Sequence, residues 1–214
     1  LDITSRWAED LLEMGSETLK PNADHTIFTH YPWYKQDDST TDKFAAINNG
    51  VSSPEDGEYL TNGSFGSTSN TGVLSLGFED MPAGFISMTA VSLKIREKCG
   101  DDAVACGVKY QIFDEDGDAL TNEINKAHNL VGEQYFFEDW TDRTLDFTIN
   151  SSDETSWNGA RLRIIHYDAD ASDTIYFISE LELEVEYEIF DAGVKTANYK
   201  ARKELFTGNA SASL

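Results

Sequence analysis

The sequence predicts an all-β fold: an antiparallel, jelly-roll-like β-sandwich with a short N-terminal helix and an extended C-terminal tail. Three observations predict it. Apolar and polar residues alternate along several segments, turn-rich stretches separate these segments, and β-branched and aromatic residues are frequent. Alternation with a period of two places one strand face on a core and the other in solvent. We expect an arm at 1–22, a sandwich domain at 23–190 and a basic tail at 191–214.

The N-terminal arm, Leu1 to Asn22, carries apolar residues at helical spacing. Trp7, Leu11 and Met14 follow one another at intervals of three or four, which favours an amphipathic helix. Such a helix either covers one end of its own sandwich or docks on a neighbouring subunit. In the second case Trp7, Leu11 and Met14 are candidate anchoring residues.

The alternating segments are the predicted strands. We expect them at Thr26–Tyr34, Phe44–Asn48, Gly72–Phe78, Phe85–Lys98, Gly107–Phe113, Gln134–Asp139, Thr144–Ile149, Ala160–Tyr167 and Ile175–Ile189. The absence of a fixed-period repeat argues against a solenoid or a propeller.

The last of these strands carries a glutamate at every second position. The residues are Glu180, Glu182, Glu184, Glu186 and Glu188. Like charges on one strand face repel unless cations lie beside them. Basic residues of matching alternation occur in Val91–Lys98 and in Ala160–Tyr167, so we expect the glutamate strand beside one or both of these segments. Alternatively, the glutamates line an interface to a basic partner or bind cations.

The basic tail begins at Asp191. Lys200, Arg202 and Lys203 are candidate anchors to an acidic neighbour, such as another copy of the chain. The alternative is a tail that lies in solvent.

Charge and hydropathy exclude several classes of partner. A formal net charge of −23 disfavours nucleic acid and anionic lipid. No run of 18 or more apolar residues is present, so we expect no transmembrane helix and no membrane partner.

The sequence also lacks the motifs of the common catalytic and metal sites. It contains no HExxH, phosphate-binding loop, dinucleotide-binding glycine pattern or nucleophile elbow. The run Asp114–Asp118 resembles a calcium loop, but Gly117 comes too early and Asn125 stands where a glutamate is needed. A β-hairpin turn explains this run better. We therefore expect no enzymatic activity, no metal and no cofactor.

Two residue groups leave alternatives open. Cys99 and Cys106 flank a short loop, and they form either a disulfide across the mouth of a hairpin or two free thiols. The aromatic residues Tyr31, Trp33 and Tyr34 either stack on a sugar from an exposed surface or contribute a tryptophan to the core. Trp140 and Trp157 are possible additions to such a sugar site.

Several short motifs resemble those of tailed-phage virion proteins. They cover roughly residues 44 to 190 and comprise Asp56–Leu60, Phe78–Ile86 with Val91–Glu97, Val108–Asp114 with its glycine turn, Trp157–Ile164 and Ile178–Tyr187. The resemblance implies a β-sandwich structural protein without an active site: a capsid decoration protein, a head fibre or a tail component. It also implies a homo-oligomer at the particle surface that contacts the major capsid protein or another virion protein. A carbohydrate-binding β-sandwich module is the alternative.

Overall fold

The chain folds into two antiparallel sheets that pack face to face, which confirms the predicted all-β sandwich. The computed structural model describes residues 12–24, 33–35, 43–48, 51, 56–62, 72–100, 106–127, 139–168 and 175–190. The strands are β1 (Leu12–Leu19), β2 (Pro21–Asp24), β3 (Tyr34–Lys35), β4 (Leu60–Thr61), β5 (Gly72–Phe78), β6 (Phe85–Cys99), β7 (Cys106–Phe113), β8 (Ile124–Ala127), β9 (Thr141–Asp146), β10 (Arg161–Asp168) and β11 (Tyr176–Phe190). A 3₁₀ turn (Lys43–Ala46) and one short helix, α1 (Glu154–Trp157), complete the described elements.

The strands divide between a six-stranded and a five-stranded sheet. The six-stranded sheet has the order β3-β4-β11-β6-β9, and β1 also pairs with β11. The five-stranded sheet has the order β2-β5-β10-β7-β8. Strands β1 and β2 are separated only by Lys20, so the chain passes from one sheet to the other at that point. The core lies between the sheets and is built from the apolar phase of their longest strands, including Leu93, Ile95, Leu183, Val108 and Leu162.

The glutamate strand lies beside one of the two expected basic strands. In the antiparallel pair of β6 and β11, Glu180 lies opposite Arg96 and Glu182 opposite Lys94, which confirms the adjacency to Val91–Lys98. The adjacency to Ala160–Tyr167 is wrong, because β10 lies in the other sheet between β5 and β7. Both basic strands have the same alternation, and a charge pattern alone does not specify the layer to which a strand belongs.

The predicted N-terminal helix is wrong over residues 12–22, which lie in or between two strands. β1 runs antiparallel to the second half of β11, and β2 pairs with β5. Gly15 explains part of the difference: it is a poor helix residue, and a side chain there would collide with the Tyr187 ring that lies against it. Met14 is 63% exposed on the outer face of β1. Trp7 and Leu11 lie outside the described residues, and the division at residue 22 stays a prediction.

Three other predicted strands differ from the structure or lie outside its described residues. Phe44–Asn48 does not form a strand, because the backbone amides of Lys43 and Phe44 donate to the Asp24 carboxylate at 2.8 and 2.9 Å and close a 3₁₀ turn. The predicted strand at 144–149 starts earlier, at Thr141. The strand predicted at 134–139 and the tail residues Lys200, Arg202 and Lys203 lie outside the described part of the chain, except for Asp139, which is a bend.

Cys99 and Cys106 form a disulfide, with their Cα atoms 6.5 Å apart. Cys99 ends β6 in the six-stranded sheet, and Cys106 begins β7 in the five-stranded sheet. The bond therefore connects the two layers, and the expectation that it spans the mouth of a hairpin is wrong. The hairpin expected at Asp114–Asp118 is confirmed, with Gly117 at a positive φ of 94°.

Two of the sequence motifs meet at one corner of the sandwich. The Asp80 side chain accepts a hydrogen bond from the Gly159 amide at 3.1 Å, and the Asn158 side chain accepts one from the Met81 amide at 3.1 Å. Gly159 has a positive φ of 70°, a conformation that favours glycine. The Phe78 amide donates to the Ala160 carbonyl at 3.3 Å. We call Phe78–Met81 with Asn158–Ala160 the motif corner.

Candidate functional site

The aromatic side chains predicted to stack on sugars differ in burial: Trp33 and Trp157 are buried, and Trp140 is half-buried with part of its side chain open to solvent. Trp33 is 1% exposed, and its ring lies edge-on to Tyr176 at 5.8 Å, so its role as an exposed platform is wrong and the core alternative is right. Trp157 is buried as well and donates its indole N–H to the Ser151 carbonyl at 2.8 Å. Tyr31 lies outside the described residues, and Tyr34 is described only as part of β3.

A polar cluster occupies the core close to the disulfide. Glu97 points inward from β6 and is 1% exposed. Its Oε2 accepts hydrogen bonds from the hydroxyl of Tyr110, at 2.6 Å, and from that of Tyr176. Its Oε1 lies 3.1 Å from the Arg143 guanidinium on β9. Buried charge is costly unless it is paired in this way.

Burial raises the pKa of the Glu97 carboxyl above its ordinary value, because the charged form loses hydration. The two tyrosine hydroxyls and Arg143 act in the opposite direction but do not cancel the effect of burial.

The cluster extends to a histidine in the opposite sheet. The His166 ring stacks on Tyr176 with centroids 5.6 Å apart, and its Nδ1 is hydrogen-bonded to the Asn62 side chain. Asn62 also accepts a hydrogen bond from the Tyr176 amide at 2.8 Å. Glu97, Tyr176, His166 and Asn62 are all buried. These four residues therefore join the two sheets and present no open surface to a ligand, and of the cluster only Arg143 reaches a cleft at the surface.

The outer face of the six-stranded sheet carries a different set of groups. At its centre the Arg96 guanidinium lies between two carboxylates. Its Nε and Nη2 donate to Asp56 at 2.7 and 2.9 Å, and its Nη1 donates to Asp142 at 2.7 Å. The hydrogen bonds from Arg96 hold the pKa of Asp56 below its ordinary value. We call Asp56, Arg96 and Asp142 the clamp.

Aromatic side chains lie at one end of the clamp. Tyr59 packs against Trp140 with ring centroids 6.3 Å apart and against Phe177 at 5.5 Å. The Lys98 ammonium lies 4.8 Å from the Trp140 centroid and 5.1 Å from that of Phe177. All four side chains are half-buried, so part of each remains open to solvent. We call Tyr59, Trp140 and Phe177 the outer aromatic cluster.

A cleft lies at the other end of the clamp. It has a volume of about 300 Å³ and is lined by Val51, Lys94, Asp142, Arg143, Thr144 and Glu182. Lys94 also forms an ion pair with Glu184. Within the described residues, no group of three or more histidine, cysteine or acidic side chains is arranged to hold a metal ion. None of the described helices is long and apolar enough to cross a membrane.

Sequence reasoning missed most of this face. Lys98 and Phe177 lie opposite each other in the register of β6 and β11 and belong to the outward phase of both strands. For Lys98, the alternation of apolar and basic residues in the sequence already indicates the outward phase. The approach of Tyr59 and Trp140 was not, because these residues come from distant connecting segments.

Comparisons with known proteins return only distant structural likenesses. No protein-family model matches the chain, and no curated protein matches it. Among solved structures, a carbohydrate-binding module of Caldicellulosiruptor saccharolyticus in complex with mannohexaose is 14% identical with a TM-score of 0.38, over 73% of this chain and 90% of the module.

Two viral structures match as well. The enzymatically active domain of bacteriophage CBA120 tailspike protein 4 is 9% identical with a TM-score of 0.36, over 83% of this chain and 19% of that one. The infectious bursal disease virus Gt strain structure is 13% identical with a TM-score of 0.35, over 84% of this chain and 33% of that one. This chain thus spans a third or less of either viral chain. At these TM-scores the likenesses carry no argument about function, and the fold assignment rests on the two antiparallel sheets themselves.

Proposed function

We propose that this chain is a non-enzymatic structural protein of a tailed-phage particle, most simply a capsid decoration or head-fibre protein at the particle surface. Its partners are the major capsid protein or another virion protein and further copies of the chain itself. The net charge of −23 supports this role, since charge of one sign limits non-specific association at high local concentration.

The observation that carries the proposal is the motif corner. The segments that resemble phage virion proteins are far apart in the sequence, yet two of them are joined by reciprocal hydrogen bonds between Asp80 and Gly159 and between Asn158 and Met81. Gly159 is required there by its positive φ. The motif residues therefore act together in the architecture, as expected if the resemblance reflects a common structural design.

The direct test is the presence of the chain in purified particles. Particles produced by cells that contain the native protein are banded in a density gradient, and the copy number of the chain per particle is measured by quantitative mass spectrometry. A constant copy number in the particle band supports the proposal. A protein found only at the top of the gradient, free of particles, contradicts it.

Anchoring through the N-terminal segment is tested in the same assay. Replacing Trp7 and Leu11 together by Ser, or Met14 alone by Ser, should reduce the copy number and leave the melting temperature of the purified chain nearly unchanged. Thr148→Ala, at an exposed position far along the chain, is the matched control. Unfolding of the Trp7 and Leu11 variant would show that these residues belong to the core and do not anchor the chain.

Carbohydrate binding is the alternative function that the sequence suggests. Trp33 is buried and therefore does not serve as its stacking platform. A different observation favours it, namely the outer aromatic cluster beside the clamp and the cleft.

A further inference from the structure

Three features of the outer face of the six-stranded sheet lie in one line. The outer aromatic cluster is at the level of Lys98, the clamp at the level of Arg96, and the cleft at the level of Lys94. Lys94, Arg96 and Lys98 project to the same side of β6. At about 3.3 Å per residue along a strand, the line is about 13 Å long.

From this arrangement we infer that the outer face binds a short, uncharged oligosaccharide. The site goes beyond the structural role proposed above and does not depend on it. Its ligand lies along β6, with one sugar ring on the outer aromatic cluster, the next over the clamp and the reducing or non-reducing end in the cleft.

The aromatic end supplies the apolar contact that a sugar ring needs. One face of a pyranose presents C–H groups, and these pack against aromatic rings that keep part of their surface open. Trp140 and Phe177 are held in place by Tyr59 and by the Lys98 ammonium. Such rings lose little freedom when a ligand binds, which lowers the cost of association.

The clamp supplies directed hydrogen bonds. Arg96 fixes both carboxylates, yet the side chains of Asp56 and Asp142 remain 40% and 55% exposed. Their free lone pairs can each accept hydrogen bonds from sugar hydroxyls. In the cleft, Lys94 and Thr144 add donors next to Asp142. Polar groups that are already oriented favour a ligand with many hydroxyls.

The charges of this face select against ionic ligands. The cations at its centre are already paired, Arg96 with the two carboxylates of the clamp and Lys94 with Glu184. An anionic polysaccharide would also meet a chain of net charge −23. An uncharged saccharide does not have to compete for the paired cations, and the negative charge of the chain does not repel it.

Binding is tested by titration calorimetry of the full chain with neutral hexasaccharides of glucose, mannose, galactose and xylose, and with oligogalacturonate as an anionic probe. At least one neutral hexasaccharide should bind, and oligogalacturonate should not. Trp140→Ala and, separately, Asp142→Asn should each weaken binding by about tenfold or more. The control is Tyr167→Ala, which removes an aromatic ring from the outer face of the other sheet and should leave the affinity unchanged.

Circular dichroism and melting curves verify that each variant is folded, and the conservative Asp142→Asn keeps the test valid if Trp140→Ala is unstable. The inference is overturned if no neutral hexasaccharide binds at millimolar concentration, or if both variants bind as the native chain does. It is also overturned if oligogalacturonate is preferred. Self-association of the native chain that Trp140→Ala abolishes would overturn it too, because the face would then be occupied by a second copy. Particle incorporation of Trp140→Ala should be normal, so this inference and the structural role can fail separately.

Discussion

Glutamates lie on both faces of the central strand pair, β6 and β11, and their surroundings differ sharply. Glu97 points into the core and is held by two tyrosine hydroxyls and Arg143. Glu184 points outward, is paired with Lys94 and keeps about half of its side chain in solvent, at 46%. The contribution of a carboxylate to stability therefore depends here on its burial, which also varies along the outward phase of β11, where Glu180 and Glu182 are buried and Glu184 is exposed. Removing Glu97 takes away an acceptor that several buried groups share, whereas removing Glu184, which is largely exposed, lets water take its place.

The largest expected effect comes from Glu97→Ala. The change removes the buried acceptor that two tyrosine hydroxyls and the Arg143 guanidinium share, which costs about 3–5 kcal/mol of unfolding free energy. Urea denaturation measures the loss. The outer control, Glu184→Ala, should cost less than about 1 kcal/mol. Equal losses for the two variants would contradict the difference between the two faces.

The second-largest loss of stability is expected from the disulfide that connects the two sheets beside the buried Glu97 cluster. Replacing Cys99 and Cys106 by Ser removes the constraint on a loop with a sequence separation of seven. We expect a loss of about 2–3 kcal/mol. Reduction of the native chain should lower its stability by a similar amount. Because both cysteines are buried, the chain is reduced while unfolded in urea and refolded with the reductant present. A melting curve that is then unchanged, together with two titratable thiols in the untreated unfolded chain, would show that the bond is not formed in solution.

Glu97 also predicts the sign of a pH dependence. Burial raises its pKa in the folded chain above the ordinary 4.5, so the folded state retains this proton to higher pH than the unfolded state does. The stability that Glu97 contributes is complete below its unfolded pKa and is lost as the pH rises through its folded pKa. Glu97→Gln cannot ionise, so the native chain should lose stability relative to this variant as the pH rises from about 4.5. Denaturation at a series of pH values measures the difference, and a difference that does not vary with pH would refute the assignment.

The alternation of the sequence predicted the sheets well because burial on one face imposes a period of two. Gly72–Phe78 and the long strands β6 and β11 follow that rule closely. Glu97 breaks it visibly, since it stands in the apolar phase of β6 between Ile95 and Cys99. A charged residue in an apolar phase marks a buried polar cluster, and this signal went unused in the prediction.

The features of the fold that the sequence did not predict depend on contacts between distant segments, and alternation carries no information about such contacts. The layer to which β10 belongs, the pairing of β1 with β11 and the approach of Tyr59 and Trp140 are all of this kind. The disulfide was foreseen as one of two states, but its position between the sheets required knowing that β6 and β7 lie in different layers.

The smallest expected effect is also the one most specific to the outer face. Arg96 lies between Asp56 and Asp142 and opposite Glu180 in the register, so Arg96→Glu places a fourth carboxylate among three. The variant should lose about 1 kcal/mol at low salt. Part of this loss should be recovered at high salt, because screening weakens the repulsion from Asp56 and Asp142, which are partly exposed. Arg96→Gln is the matched control: it removes the same ion pairs without adding a negative charge, so its stability should depend less on salt. Urea denaturation of both variants at low and high salt separates the two contributions. If the stabilities of Arg96→Glu and Arg96→Gln respond to salt alike, repulsion within the clamp does not destabilise the sheet. The outer face would then behave like the inner one, where the loss of specific partners dominates.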